Sequence, residues 1–227
     1  MHAMQKWCLG FALTALGVIV SYHWLDRPIA LFAHAQLQHY DLFGKLIYIP
    51  EVLTPLVLLV FAAIGLHALI GRNLSKLETV AVLAGASVAV ADAIKDKLIF
   101  AFGRTWPQTW VRNNPSFIHD GVFGFNPFPG GPAFSSFPSG HTTAICAVMT
   151  VLWLCYPRFR VLYALAIAAV AIGLVGADFH FLGDVIAGGF LGVSTGWFTV
   201  VLWELGVHHV RGNAQIESKP LPQADLK

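Results

Sequence analysis

Six long apolar stretches dominate this chain, at approximately 7–24, 50–70, 78–102, 139–156, 160–178 and 184–206. Each reaches or approaches the roughly 20 helical residues that cross a hydrocarbon core. In water such a chain would have to hide nearly every face of every helix. In a bilayer the same side chains are the surface that faces lipid. Composition agrees, since 56% of the 227 residues are apolar and only 11% are charged. The expected fold is all-α: a polytopic membrane protein with six transmembrane helices, in one domain over residues 1–207. Residues 208–227 turn polar, with Pro220 and Pro222, and read as a cytoplasmic tail without fixed structure. Lys6 before an apolar run gives the start the look of a signal peptide, but no small-residue cleavage site follows, so it reads as a retained first span.

A formal net charge of +2 without any Lys/Arg stripe speaks against a nucleic-acid partner. Cys8, Cys146 and Cys155 lie within apolar stretches and lack CxxC spacing, so neither a disulfide framework nor a zinc site is indicated. Basic residues bias toward cytoplasmic loops. With the N-terminus inside, Lys6, Arg72, Lys76, Arg158, Arg160, Arg211, Lys219 and Lys227 fall on the cytoplasmic side, against Arg27, Lys45, Arg104 and Arg112 outside, with Lys95 and Lys97 in the helix end leading there. Both termini are therefore expected in the cytoplasm. The long connection 103–138, rich in Gly, Pro, Asn and aromatics, then lies on the outer face as an ordered lid or rim, where the polar clusters converge.

Three clusters stand out there. Lys97 and Arg104 are seven positions apart, about two helical turns, and two cations on one face suit a phosphate. Taken alone, a basic flank at a membrane interface explains them better. Pro138-Ser139-Gly140-His141 stands where the loop enters an apolar span, and a helix N-terminus with a hydroxyl beside it binds anions. Ser139 as a plain N-cap is the alternative. The third cluster is His180 with Asp184. A neutral imidazole can attack phosphorus, and a carboxylate on its other nitrogen fixes the tautomer; Asp178 is a weaker candidate for that carboxylate. An interfacial loop capping the sixth span, or a metal site of His141, His180 and Asp184, fits the same residues, the latter without a recognised ligand spacing.

In combination and order, these residues resemble the signature of type-2 phosphatidic-acid phosphatases: KxxxxxxRP, PSGH and SRxxxxxHxxxD. The resemblance spans residues 97–184. It implies a six-helix membrane fold with a phosphate pocket at the outer face of a bacterial inner membrane. It also implies His180 as a nucleophile forming a phosphohistidine, Asp184 as its orienting carboxylate and His141 as general acid. Lys97, Arg104, Ser139 and the Gly140 amide would hold the phosphate, and neither a metal nor an organic cofactor is needed. The substrate class would be a membrane lipid phosphate or diphosphate: undecaprenyl diphosphate, phosphatidate, phosphatidylglycerol phosphate or a lipid A type. Transfer of the phosphoryl group to an alcohol, or a degenerate phospholipid-binding protein, are the alternatives.

Two positions depart from the pattern. Arg104 is followed by Thr105 and Trp106 before Pro107, and the family's Ser-Arg pair is replaced by Gly173 and Leu174. One phosphate-binding cation is therefore missing. Arg112, in the outer loop, is the expected substitute, with Lys95 or no residue at all as the alternative.

Overall fold

The computed structural model describes residues 3–71, 73–110 and 113–217, and regular structure among them is helical. The first apolar stretch forms one continuous rod: α1 (Ala3–Val20), a π-helical segment at Ser21–Leu25, and α2 (Asp26–Gln36). Helix α3 (Asp41–Leu69) returns with Pro50 and Pro55 inside it. It begins ahead of the expected start at 50, because proline within a membrane helix is tolerated where neighbours compensate for the lost hydrogen bond. Helix α4 (Lys76–Phe102) opens on a reciprocal cap between Ser75 and Glu78 and closes at Gly103, whose φ of 52° ends the helix in the left-handed region. The long connection after α4 carries the short α5 (Phe117–Asp120), and α6 (Gly140–Cys155), α7 (Arg160–Gly176) and α8 (Leu182–Glu217) complete the bundle.

Five of these segments are long and apolar enough to cross a membrane, and α6 is the shorter sixth. The burial pattern is inverted relative to a water-soluble protein. Phe11, Leu59, Val161 and Leu202 are at least 64% exposed, while Ser21, Ser87, Arg104 and Asp184 are fully buried. Lipid as solvent selects this arrangement, because apolar side chains lose nothing outside and polar ones find partners only inside. Helix α8 continues through Glu217, so residues 208–217 of the expected tail are helical, and 218–227 lie outside the described residues.

Helix α8 lies centrally and packs most extensively against α6. Their approach is set by Gly188, Gly192 and Gly196, spaced four apart on one face of α8. A Cβ at these three positions would overlap the backbone carbonyls of Ser139, Thr143 and Ala147 respectively. Small residues at every fourth position let two membrane helices touch backbone to backbone. Gly192→Val should therefore force α6 off α8 and destabilise the protein by about 1–3 kcal/mol, read as a lower thermal midpoint in detergent.

Candidate active site

His180 stands in the turn between α7 and α8, at one end of this α6–α8 contact. The turn is shaped by Phe179 and His180, whose amides donate to the Leu174 carbonyl (2.9 and 3.2 Å), and by Asp178 at a φ of 56°. Asp184, in the first turn of α8, accepts from the Phe181 amide at 3.0 Å and, on the same oxygen Oδ2, from the Ser136 hydroxyl at 2.6 Å. The His180 Nδ1 faces this pair, 3.3 Å from Ser136 Oγ and 3.5 Å from Asp184 Oδ2. The Ser139 amide donates to the Asp184 carbonyl at 3.1 Å and ties the start of α6 to the start of α8. Trp106 covers one face of the imidazole with ring centroids 5.1 Å apart, held by its indole N–H on the Pro132 carbonyl at 3.0 Å.

Arg104 occupies a different place from the expected phosphate pocket. It is fully buried, with NH1 donating to Asp184 Oδ1 and NH2 to Asp26 Oδ2, both at 2.6 Å. Phe181, Phe125, Phe123 and Tyr22 surround the guanidinium, with ring centroids 4.4–5.5 Å from Cζ. Burial alone would favour loss of its proton, but the charges of Asp184 and Asp26 outweigh that and hold the guanidinium above its ordinary pKa. The loop's aromatics thus enclose a buried ion cluster, and Arg104 serves Asp184 rather than facing an open pocket.

Lys97 is also corrected. The two-turn argument needed the helix to continue to Arg104, but Gly103 ends it, and Lys97 is exposed. Lys95, two positions earlier and about 200° around the helix, is the lysine that reaches the site. Its Nζ comes within 3.6 Å of where a Cβ on Gly140 would sit, and it is paired with Asp92 at 2.8 Å and Asp96 at 3.3 Å. Ser139 is the N-cap of α6, accepting from the Thr142 amide at 3.3 Å. His141 follows Gly140 in the first turn of α6, its ring 6.3 Å from the His180 ring between centroids. Its Nε2 lies 3.5 Å from Glu51 Oε1 on α3. Arg112 lies outside the described residues.

Leu174, where the family carries arginine, is fully buried in an apolar cluster with Ile47, Ile145, Val170 and Val185. Gly173 beside it is pressed against Leu46 and the Phe43 carbonyl of α3. The position has become core. Sequence reasoning also missed Asp26, Glu51, Ser136 and Trp106. Only two carried a readable signal: Glu51 as a carboxylate inside an apolar span, and Trp106 as the departure after Arg104.

Asp178 does not orient His180. Its Oδ2 pairs with His34 Nδ1 of α2 at 3.0 Å, its carbonyl accepts from the Trp110 indole at 3.0 Å, and its Oδ1 is buried without a partner among the described residues. Burial pushes this carboxyl up to about 6, against the opposing pull of His34. The folded state therefore favours the protonated acid. That contribution is complete below the ordinary value of 3.8 and is lost as pH rises through about 6. Asp178→Asn, which mimics the neutral acid and tolerates the left-handed backbone, should gain thermal stability relative to wild type above pH 6 and lose that advantage near pH 4, measured by melting in detergent.

Comparison with known proteins bears on this arrangement. The PAP2 superfamily model matches residues 80–205, which include His141, His180 and Asp184. The chain belongs to the PAP2 superfamily. Two lipid A 1-phosphatases, from Rhizobium etli and Rhizobium johnstonii, are 40% and 38% identical to it over 91 residues, 40% of this chain. The match covers only 38% and 36% of those relatives' lengths. A crystal structure of a transmembrane PAP2-type phosphatidylglycerolphosphate phosphatase from Bacillus subtilis has the same fold, with a TM-score of 0.53 at 15% identity, covering 90% of this chain and 97% of that one. The PAP2 helices of this chain thus bring His141, His180, Asp184, Ser139 and Gly140 together, set Lys95 rather than Lys97 beside Gly140, and bury Arg104 behind Asp184.

Proposed function

We propose that this PAP2 protein is an integral membrane lipid phosphatase that works through a phosphohistidine on His180. The observation that carries the reading is the commitment of His180 Nδ1 to the Ser136–Asp184 pair, which leaves Nε2 as the attacking nitrogen and supplies a buried anion to stabilise the imidazolium character that develops. In the first step the Nε2 lone pair forms a bond to phosphorus, the P–O bond to the lipid breaks, and His141 gives its proton to the departing oxygen. In the second step water attacks phosphorus, the N–P bond breaks, and His141 takes the proton from water. Lys95, near Gly140, and the first amides of α6 would hold the nonbridging oxygens, where negative charge is stabilised in a loose phosphoryl-transfer transition state.

The two rhizobial relatives make the 1-phosphate of a lipid A-type glycolipid the first substrate to test; phosphatidate, phosphatidylglycerol phosphate and undecaprenyl diphosphate follow. The excess of cations in one set of loops supports cytoplasmic termini in a bacterial inner membrane, with the site at the periplasmic face. Detergent-purified protein incubated with this panel should release inorganic phosphate from at least one member. Transfer of labelled phosphate between lipids without release would replace hydrolysis by phosphotransfer. Neither result with any lipid would leave a phospholipid-binding protein.

A further inference from the structure

The most unusual group outside the family signature is Asp26. It sits in a membrane-spanning helical rod, is 1% exposed, and lies outside the residues matched to the superfamily. A carboxylate at such depth is costly and persists where it has partners and a use. Its partners are fully arranged: Ser21 Oγ donates to Oδ1 at 2.6 Å, the Gly183 amide to the same oxygen at 2.9 Å, and Arg104 NH2 to Oδ2 at 2.6 Å. The rod departs from α-helical geometry immediately before it, at the π-helical Ser21–Leu25. Such insertions recur at functional sites, and here one places Ser21 and Asp26 on the same inward side. Gly183 leaves the space the carboxylate needs, since a Cβ there would lie 3.2 Å from Asp26 Oδ2 and 3.3 Å from Arg104 NH1.

Asp26 touches neither His180 nor the phosphate position proposed above, yet it shares Arg104 with Asp184. We infer that Asp26 is a positioning residue of the phosphatase centre, neutralising Arg104 so that the Asp184 carboxylate remains an effective anion for His180. The inference rests on the phosphatase reading above. Without Asp26, the whole charge of Arg104 would fall on Asp184, and the carboxylate would stabilise a cationic imidazole less well. The N-terminal rod is thereby part of the site, although none of it belongs to the recognised signature.

The groups around His180 define what a pH profile would report. Asp184 faces it from α8, with Arg104 behind. His141 faces it from α6, with Lys95 of α4 and Glu51 of α3 beyond. Ser136 and Trp106 from the outer loop do not titrate in this range, and Asp178 turns away to His34. In Asp26→Asn, of nearly the same shape, the acid limb of kcat/KM should move to lower pH by about half a unit to one unit. The value of kcat should fall about tenfold with KM little changed, as expected for loss of an interaction made in the transition state.

The double variant Asp26→Asn/Arg104→Gln restores neutrality beside Asp184, so its acid limb should return toward the wild-type position even if turnover stays low. It also removes the stranded charge if Asp26→Asn alone fails to fold. A purely structural role predicts lower stability with an unmoved acid limb in Asp26→Asn; that result, or an acid limb still displaced in the double variant, would overturn the inference. Wild-type protein that releases no phosphate from any lipid phosphate would instead overturn the phosphatase reading on which it stands.

Discussion

In His180→Asn, phosphate release from the preferred lipid phosphate should fall by at least about 10⁴-fold, because removing a nucleophile eliminates the covalent route and leaves only binding and charge stabilisation. Asparagine is close in size to the proximal part of the imidazole and can still donate its amide N–H to Ser136 Oγ, so the buried cluster of Ser136, Asp184, Arg104 and Asp26 keeps its partners. The melting temperature in detergent should therefore change little while activity is lost. A second readout ties the loss to the nucleophile. Wild-type protein quenched during turnover of a ³²P-labelled lipid should retain label that is stable to alkali and labile to acid, as an N-phosphoryl bond is, and the variant should retain none. Turnover within tenfold of wild type in His180→Asn would exclude His180 as the nucleophile.

The contrast between His180 and its surroundings shows which parts of this site are written locally in the chain. His180 and Asp184 are four residues apart at a helix start, and Ser139 and His141 flank another, so local geometry alone sets their relation once the helices are assigned. The lipid-facing spans were legible for the same reason: long apolar runs have one stable solvent. Arg104 was misplaced because its role depends on where α4 stops and on carboxylates 78 and 80 positions away in sequence. Nothing in the spacing of Asp26 signals that it will meet Arg104, since that meeting requires the N-terminal rod, the loop between α4 and α6 and the start of α8 to converge. Ser136 lay just ahead of the recognised Pro138-Ser139-Gly140-His141 segment, and only the fold of the loop turns its hydroxyl onto Asp184.

The same geometry distinguishes two lysines that sequence spacing alone ranks in the wrong order. Lys95→Ala should lower kcat/KM by about 10²–10³-fold, the usual consequence of removing one preorganised donor to the charge that develops in the transition state. Lys97→Ala should stay within about twofold, because an exposed lysine on the opposite side of α4 contributes only to the general field, which salt screens. Lys95 carries this weight because Arg104 is sealed behind Asp184 and Leu174 fills the other arginine position with core. Its pairing with Asp92 and Asp96 keeps the ammonium at the mouth of the site in the absence of substrate, and phosphate must draw it away from those carboxylates. Asp92→Asn should therefore tighten KM modestly while Lys95→Ala weakens turnover, and steady-state kinetics on one lipid phosphate would measure both. Equal losses in Lys95→Ala and Lys97→Ala would return the phosphate grip to the family's spacing and remove Lys95 from the site.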